Sequence, residues 1–378
     1  MEGNQKIRVL HCIETISSGG VERTRLSLSR YLDKEVYEQK IICTQASGTI
    51  PKEITMEGVE VIVIGKLKHT FHWSQYRKVI QVIRSFQPHI IHGAVFEGVS
   101  MSTVSGFLGR VPIIIAEETS DPINRSHKAN LLFKLLTSVA DRVIGIAPGV
   151  INYLTNIAHI NASKIQLINN GVEIPRKVFE EEIMSLKERL GLSNTNIIIG
   201  SVGRIRDKVK LFSDIIEAVA LLPDHAKLKI LIVGQGPDVE FLKDLAAQRG
   251  LKNQLIMPGA QMDTPPFYCL MDIFCIVSDN EGFGLVAAEA MFHRLPVIAT
   301  AVGGLKDIVV DGETGFLVPS HSPKQIAEKL QLLIDQPALR KNMGAKGLAR
   351  AKKKYSAKIY VEKVHQLYQE LLREKGLL

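Results

Sequence analysis

Short apolar runs punctuate the chain at a regular rhythm. In the first half they fall at residues 7–14, 37–43, 59–65, 89–93, 111–116, 142–147 and 165–168. In the second half they fall at 197–202, 229–233 and 273–277, with another near Ile256. Such runs are shorter than a helix and rich in Ile and Val, as strands buried on both faces are. Between them, apolar residues return every three or four positions over helix-sized lengths: 24–32, 73–86, 98–108, 130–140, 285–292 and 356–372. The charged segment 180–190 reads as a surface helix. Strands alternating with helices predict parallel sheets covered on both faces, an α/β fold. Ligands of such sheets sit at the C-terminal ends of the strands.

Composition sharpens this picture in three ways. The 378 residues are too many for one ordinary domain and suit two. No apolar run approaches the ~18 residues that span a bilayer, and the opening MEGNQKIRVLHC lacks a secretory core. A cytoplasmic location is therefore expected. The four cysteines, Cys12, Cys43, Cys269 and Cys275, form no CxxC pair and read as buried free thiols.

The formal charge of +8 is unevenly placed. From Arg340 to the end there are eleven Lys or Arg against three Glu, an excess equal to the charge of the whole chain. A basic tail suits peripheral contact with anionic lipid, or equally a solvated helix face. Nucleic acid is not an expected partner. The tail's apolar positions, from Ile359 to Leu372, fit docking onto another part of the chain better than a membrane helix.

The chemistry concentrates at Ser278–Phe292, SDNEGFGLVAAEAMF. A buried strand, a Gly-rich turn and a mostly apolar helix follow one another. The helix start offers backbone N–H groups and the positive end of a dipole, suited to an anion. Glu281 sits in the turn and Glu289 eight residues later, roughly 12 Å away if all eight were helical. That spacing would let two carboxylates hold both ends of a nucleotide-sugar. Glu289 lies among alanines, where an unpaired carboxylate is costly; ligand hydroxyls or a partnering Arg would satisfy it. A second strand ends in Gly203-Arg204-Ile205-Arg206-Asp207-Lys208-Val209-Lys210. Two cations there would neutralise a diphosphate. Near the start, a strand runs into Ser17-Ser18-Gly19-Gly20 before a helix, a close backbone approach but not a dinucleotide fingerprint. The strand near Ile113–Ile115 runs into Ala116-Glu117-Glu118-Thr119-Ser120-Asp121-Pro122, an acidic loop at the ligand end of its sheet. His11 and His92 read as core or strand-end histidines.

EGFGLVAAE resembles the E-x7-E signature of retaining glycosyltransferases with the GT-B fold, specifically glycosyltransferase family 4 (group 1). Flanking passages fit it too: PVIAT at 296–300, the Gly303-Gly304 pair, DGETGFLVP at 311–319, Gly234-Gln235-Gly236-Pro237 and Asn169-Asn170-Gly171-Val172-Glu173. The resemblance implies two Rossmann-like domains facing each other across a cleft. Residues 1–173 would bind the acceptor and 174–355 the nucleotide-sugar, with a helix at 356–378 returning to the first domain. It implies transfer of a hexose from a UDP- or GDP-sugar to an acceptor hydroxyl with retention, without a metal or other cofactor. Polysaccharide or glycoconjugate synthesis is the family's common setting, with a carbohydrate, lipid-linked or small-molecule acceptor.

By the same resemblance, Arg204 and Lys210 stabilise the departing diphosphate, with Lys208 as the alternative to Lys210. Glu281 holds the sugar and Glu289 the ribose. The backbone of Gly282, Phe283, Gly284 and Leu285 assists, and Gly19, Gly20, Gly203 and Gly234 line the donor. Glu118 stands where relatives carry a His close to the reacting sugar. Arg294 stands where they carry a Gly, which either breaks a left-handed helix end or adds a cation near the site. Phe71, Trp73 and Phe96 are candidate acceptor-pocket residues, with core packing as the other reading. Two alternatives stay open: a non-catalytic GT-B partner subunit and a sugar-nucleotide epimerase.

Overall fold

In this computed structural model the apolar runs become strands, and the runs of Ile and Val are buried on both faces. Residues 6–17, 19–67, 72–120 and 125–378 are described. The chain divides into two units, residues 1–173 together with 356–378, and residues 174–355.

The first unit begins with β1 (Ile7–Ile16), α1 (Gly20–Tyr31), β2 (Tyr37–Ala46), α2 (Ile50–Met56), β3 (Glu60–Val63) and α3 (Trp73–Phe86). It continues with β4 (Ile90–Ala94), α4 (Val95–Leu108), β5 (Ile113–Glu118), α5 (His127–Thr137), β6 (Arg142–Gly145), α6 (Pro148–Asn152) and β7 (Ile165–Leu167). The seven strands are parallel, in the order β3-β2-β1-β4-β5-β6-β7. The order reverses between β1 and β4, the place where open α/β sheets hold ligands.

The second unit holds α7 (Glu180–Arg189), β8 (Ile197–Val202), α8 (Asp207–Lys210), α9 (Phe212–Ala220), β9 (Leu228–Val233) and α10 (Val239–Gln248). Next come β10 (Leu255–Ile256), α11 (Pro265–Leu270), β11 (Ile273–Ile276), α12 (Leu285–Phe292), β12 (Val297–Thr300) and α13 (Leu305–Ile308). β13 (Gly315–Val318), α14 (Pro323–Asp335) and α15 (Pro337–Lys354) complete it. Its six parallel strands run β10-β9-β8-β11-β12-β13, reversing between β8 and β11.

The chain then re-enters the first unit as α16 (Ala357–Glu374). Ser356 caps it, accepting from the Ile359 N–H. Tyr360, Val364, Leu367, Tyr368 and Leu371 of its apolar stripe pack with Val9, Ile90, Ile113 and Ile144 in one core. At Gly171 and Ala357 the entering and leaving segments touch: a Cβ on Gly171 would press on the Ala357 backbone, and the Ala357 N–H bonds the Val172 carbonyl at 2.8 Å.

Several boundaries differ from the sequence pattern. Helix α4 starts at Val95, three residues early, with Val95 itself at φ +65°. A β-branched residue in that region is an outlier, and it falls at the ligand end of β4. Helix α5 starts at His127 because Ser126 caps it, accepting from the Ala129 N–H at 3.3 Å. Strand β5 runs through Glu117 and Glu118, so the acidic pair is buried strand rather than loop. Cys12, Cys43 and Cys275 are buried free thiols, but Cys269 is exposed.

Candidate active site

In the second unit the two motifs follow the two strands at the order reversal. Arg204 and Lys210 lie after β8, and Glu281 after β11. Three local devices bring them together. Leu211 adopts a left-handed conformation, φ +42°, that separates α8 from α9. The Asp279 N–H bonds the Val209 carbonyl at 2.9 Å, tying the two loops. Gly303 and Gly304 let the next loop press on the turn: the Gly304 N–H bonds the Glu281 carbonyl at 3.0 Å, and a Cβ on Gly303 would run into that same oxygen. The outcome is an ion pair between the Lys210 ammonium and the Glu281 carboxylate, whose side chains are 27% and 16% exposed. Lys208 is exposed and pairs with no described residue, so of the two lysines Lys210 is the one set against Glu281.

Arg204 is exposed and bonds no described residue through its side chain. Gly284, at φ +97°, caps α12 in a conformation that favours glycine, and a Cβ there would meet Leu305. The N–H groups of Gly282, Phe283 and Gly284 donate to no described residue. Leu285 opens α12, so only the second half of the Glu281–Glu289 interval is helical.

Glu289 accepts from the Tyr268 hydroxyl at 2.7 Å. Tyr268 stacks on His293, with centroids 4.8 Å apart and planes at 15°. Burial lowers the His293 pKa below its usual value, and its Nδ1 lies 2.8 Å from the Glu289 carbonyl oxygen. Glu289 therefore meets a tyrosine rather than an arginine. No local pattern announces this partner, because the Tyr268 hydroxyl meets Glu289 only once α11 and α12 pack.

Gly203 and Gly234 serve the backbone. The Gly203 N–H bonds Val233 and the Gly234 N–H bonds Gly259, both at 3.0 Å. A Cβ on Gly234 or Gly236 would collide with the carbonyls of Gly203 or Ile205. Arg294 is exposed and sits at φ +60°. Its N–H bonds Met291 at 3.0 Å and the Leu295 N–H bonds Ala290 at 3.1 Å, the two bonds of a Schellman helix end. The left-handed helix end survives the loss of glycine.

In the first unit Gly19 caps α1 and Gly20 is its first residue; Ser18 lies outside the described residues, as do Phe71 and Asp121-Pro122. Glu118 is 3% exposed. One of its oxygens accepts from the Ser120 N–H at 3.2 Å and hydroxyl at 2.8 Å; the other accepts from Arg125 at 2.8 Å. Arg125 in turn donates to the Tyr153 hydroxyl and lies over the Phe133 ring. Glu118 thus orders its own turn. Trp73 is 47% exposed, while Phe96 is half-buried and stacks on the fully buried Phe133, which fits core packing.

Periodicity missed a buried polar cluster behind β1, β4 and β5. Arg25, on α1, is fully buried against Glu117. His92 Nε2 lies 3.0 Å from Glu117 Oε2, and His92 Nδ1 2.8 Å from the Tyr368 hydroxyl. Arg25 also donates to the Tyr360 hydroxyl at 3.2 Å and approaches His11 Nδ1 at 3.5 Å; His11 Nε2 lies 3.2 Å from the Gln39 side-chain oxygen. These partners ask one nitrogen of each ring to donate and the other to accept, which is a neutral imidazole. Burial, then the Arg25 charge, lowers both histidine pKa values. Burial opposes ionisation of Glu117, yet Arg25 and His92 hold its pKa down at about 2.

The comparisons with known proteins bear on the family and the fold. The Glycosyltransferase Family 4 model matches residues 18–176, and the group 1 glycosyl transferase model matches residues 183–350. The N-acetyl-alpha-D-glucosaminyl L-malate synthase of Bacillus anthracis is 26% identical over 65% of this chain and 64% of its own length. The chain thus spans less than two thirds of that relative. The capsular polysaccharide biosynthesis glycosyltransferase CapM of Staphylococcus aureus is 27% identical over 79% of this chain and 80% of its own. The crystal structure of Anabaena HepE in complex with UDP superposes with a TM-score of 0.86 at 19% identity, covering 96% of this chain and 100% of that one. The chain is a group 1 glycosyltransferase of the GT-B fold.

Proposed function

We propose that the protein transfers a hexose from a nucleoside-diphosphate sugar, with UDP as the first candidate nucleotide, to an acceptor hydroxyl with retention at the anomeric carbon and without a metal. The observation that carries this reading is the ion pair of Lys210 with Glu281 beside an unengaged Arg204. A partly exposed pair is worth about 0–1 kcal/mol, so an arriving diphosphate displaces it at little cost. Lys210 and Arg204 then face the phosphates and neutralise the charge that develops as the diphosphate departs. Released from Lys210, Glu281 accepts from sugar hydroxyls, while the N–H groups of Gly282, Phe283 and Gly284 supply further donors. Glu289, oriented by Tyr268, takes the ribose hydroxyls. In the first unit Glu118 contributes by holding Ser120 and Arg125.

The UDP in HepE and the capsular role in the name of CapM support a UDP-sugar donor and an envelope polysaccharide or glycoconjugate product. On this reading the enzyme works in the cytoplasm, at the inner face of the membrane. No helix among the described residues is long and apolar enough to cross a membrane.

The test is a thermal-shift and hydrolysis screen against UDP-, GDP-, ADP- and dTDP-sugars, with and without EDTA. Stabilisation by a UDP-sugar, with slow release of UDP that EDTA leaves unchanged, is expected. Absence of any shift with all four donors overturns the reading, and loss of turnover in EDTA overturns its metal-independence.

A further inference from the structure

Glu289, Tyr268 and His293 close a ring of contacts within the second unit. The Tyr268 hydroxyl donates to Glu289 Oε2 at 2.7 Å, and the tyrosine ring stacks on the His293 imidazole, 4.8 Å between centroids. His293 Nδ1 lies 2.8 Å from the Glu289 carbonyl oxygen, so the ring carries its proton on Nδ1 and donates it there. The side chain of Glu289 is thus tied, through an aromatic stack, to its own main chain.

His293 is the unexpected member of the ring. Its Nε2 is buried and bonds no described residue, and a buried acceptor without a donor is costly. A phenylalanine would fill the same space and leave no such atom. What the imidazole adds is the Nδ1–H, which fixes the plane against which Tyr268 rests. Tyr268 is buried and packs against Phe274 as well, with centroids 5.6 Å apart, so its ring has little room to turn. Glu289 is half-buried, and its Oε1 bonds no described residue. One carboxylate oxygen is held and the other is left to meet a ligand.

We propose that His293 is a positioning residue for the donor: through Tyr268 it holds Glu289 in one rotamer, and that rotamer makes the site select a ribonucleotide over its 2′- or 3′-deoxy form. This rests on the reading of Glu289 as the carboxylate that takes the ribose. A glutamate free to rotate loses side-chain entropy when it binds, and it turns to water when a hydroxyl is missing. A glutamate already held gains the whole hydrogen bond from a hydroxyl and stays unmatched without one. His293 itself touches neither sugar nor phosphate; its effect passes through the tyrosine.

The test is calorimetric titration of the full chain with UDP, 2′-deoxy-UDP and 3′-deoxy-UDP, and with GDP and its deoxy forms in parallel. For the nucleotide that binds, the wild type should prefer the ribo form over the weaker deoxy form by about 10–100-fold, the worth of one hydrogen bond to a charged group. Tyr268→Phe and His293→Ala should each cut that ratio to about threefold or less. His293→Phe keeps the stack and loses the Nδ1–H, so its ratio should fall between those of His293→Ala and the wild type. In donor hydrolysis the three variants should raise KM and leave kcat unchanged. A merely structural role would weaken all the nucleotides alike and lower the melting midpoint. The inference is overturned if the wild type shows no preference, or if the preference survives in both Tyr268→Phe and His293→Ala. Glu289→Ala separates the two levels. If it alone abolishes the preference, the positioning role fails and the ribose reading stands; if it leaves the preference intact, the ribose reading of Glu289 fails first. Absence of binding by either nucleotide series overturns the proposed function and this inference with it.

Discussion

Arg25 and Glu117 form an ion pair with 0% and 1% of their side chains exposed, and Lys210 and Glu281 form one with 27% and 16%. Each joins segments distant in sequence: the first α1 and β5, the second the two loops at the order reversal of its sheet. The first is walled in by His11, His92, Tyr360 and Tyr368, so its charges can answer only to each other and to those neighbours. The second keeps an open side, an unengaged Arg204 in the same loop as Lys210, and free backbone donors in the turn after Glu281. A buried pair is hard to exchange and punishes the loss of one member. A half-open pair holds a geometry cheaply until a better partner arrives. The first therefore specifies how α1, the sheet and α16 fit, and the second keeps a ligand site in shape.

The largest effect expected is on the buried pair. Glu117→Gln removes the counter-charge of a fully buried guanidinium and should destabilise the protein by about 3–5 kcal/mol, read by chemical denaturation. The comparison breaks if the loss is under about 1 kcal/mol, the size of a surface pair. Acid should act on the same cluster. His11 and His92 have lowered folded pKa values, so the unfolded chain binds more protons below about pH 6.5, and stability falls from there. The Glu117 carboxylate, ordinarily near 4.3 and here about 2, adds a further loss as pH falls through that interval. Glu117→Gln should abolish this second component and leave the first.

Lys210→Ala is the counterpart in the open pair. Transfer should drop by about 10²–10³-fold, as for loss of one preorganised charge partner, while the denaturation midpoint hardly moves. Retained turnover with a large stability loss would reverse the roles assigned to the two pairs. The smallest effect is expected away from both. Arg294→Gly relieves a left-handed residue at a helix end and should stabilise the second unit by up to about 1 kcal/mol, with donor affinity unchanged. A weakened donor affinity would instead bring the Arg294 cation into the site.

Local pattern carried much of this to the surface of the sequence. The bounds of α3 and α12 follow from uninterrupted helical spacing between punctuating residues. The Gly-rich turn, the basic loop and the two glutamates were readable because loop chemistry is written in contiguous residues. The start of α5 was missed by three residues, although Ser126 is an N-cap residue ahead of it. The buried cluster was not readable. Arg25 and Glu117 are 92 residues apart, and His92 and Tyr368 are 276 apart. Such partners leave no local trace, and a charged pair at the end of an apolar run reads as the start of a loop. The role of Tyr268 was hidden for the same reason: its hydroxyl matters only once α11 and α12 pack. Val95 defied expectation because a β-branched residue is the last type predicted at positive φ.

Helix α16 sets the order of manufacture against the order of assembly. The ribosome delivers the sheet of the first unit early, then the whole second unit, and only at the end the helix that closes the first unit's core. Domains usually fold as they emerge, amino end first. Here the early unit must wait, with Arg25 and His92 lacking the hydroxyls of Tyr360 and Tyr368 until α16 appears. A nonsense codon, a clipped terminus or a bulky fusion after Tyr355 is thus a lesion in the core laid down first, and its cost should surface as misassembly of the nascent chain.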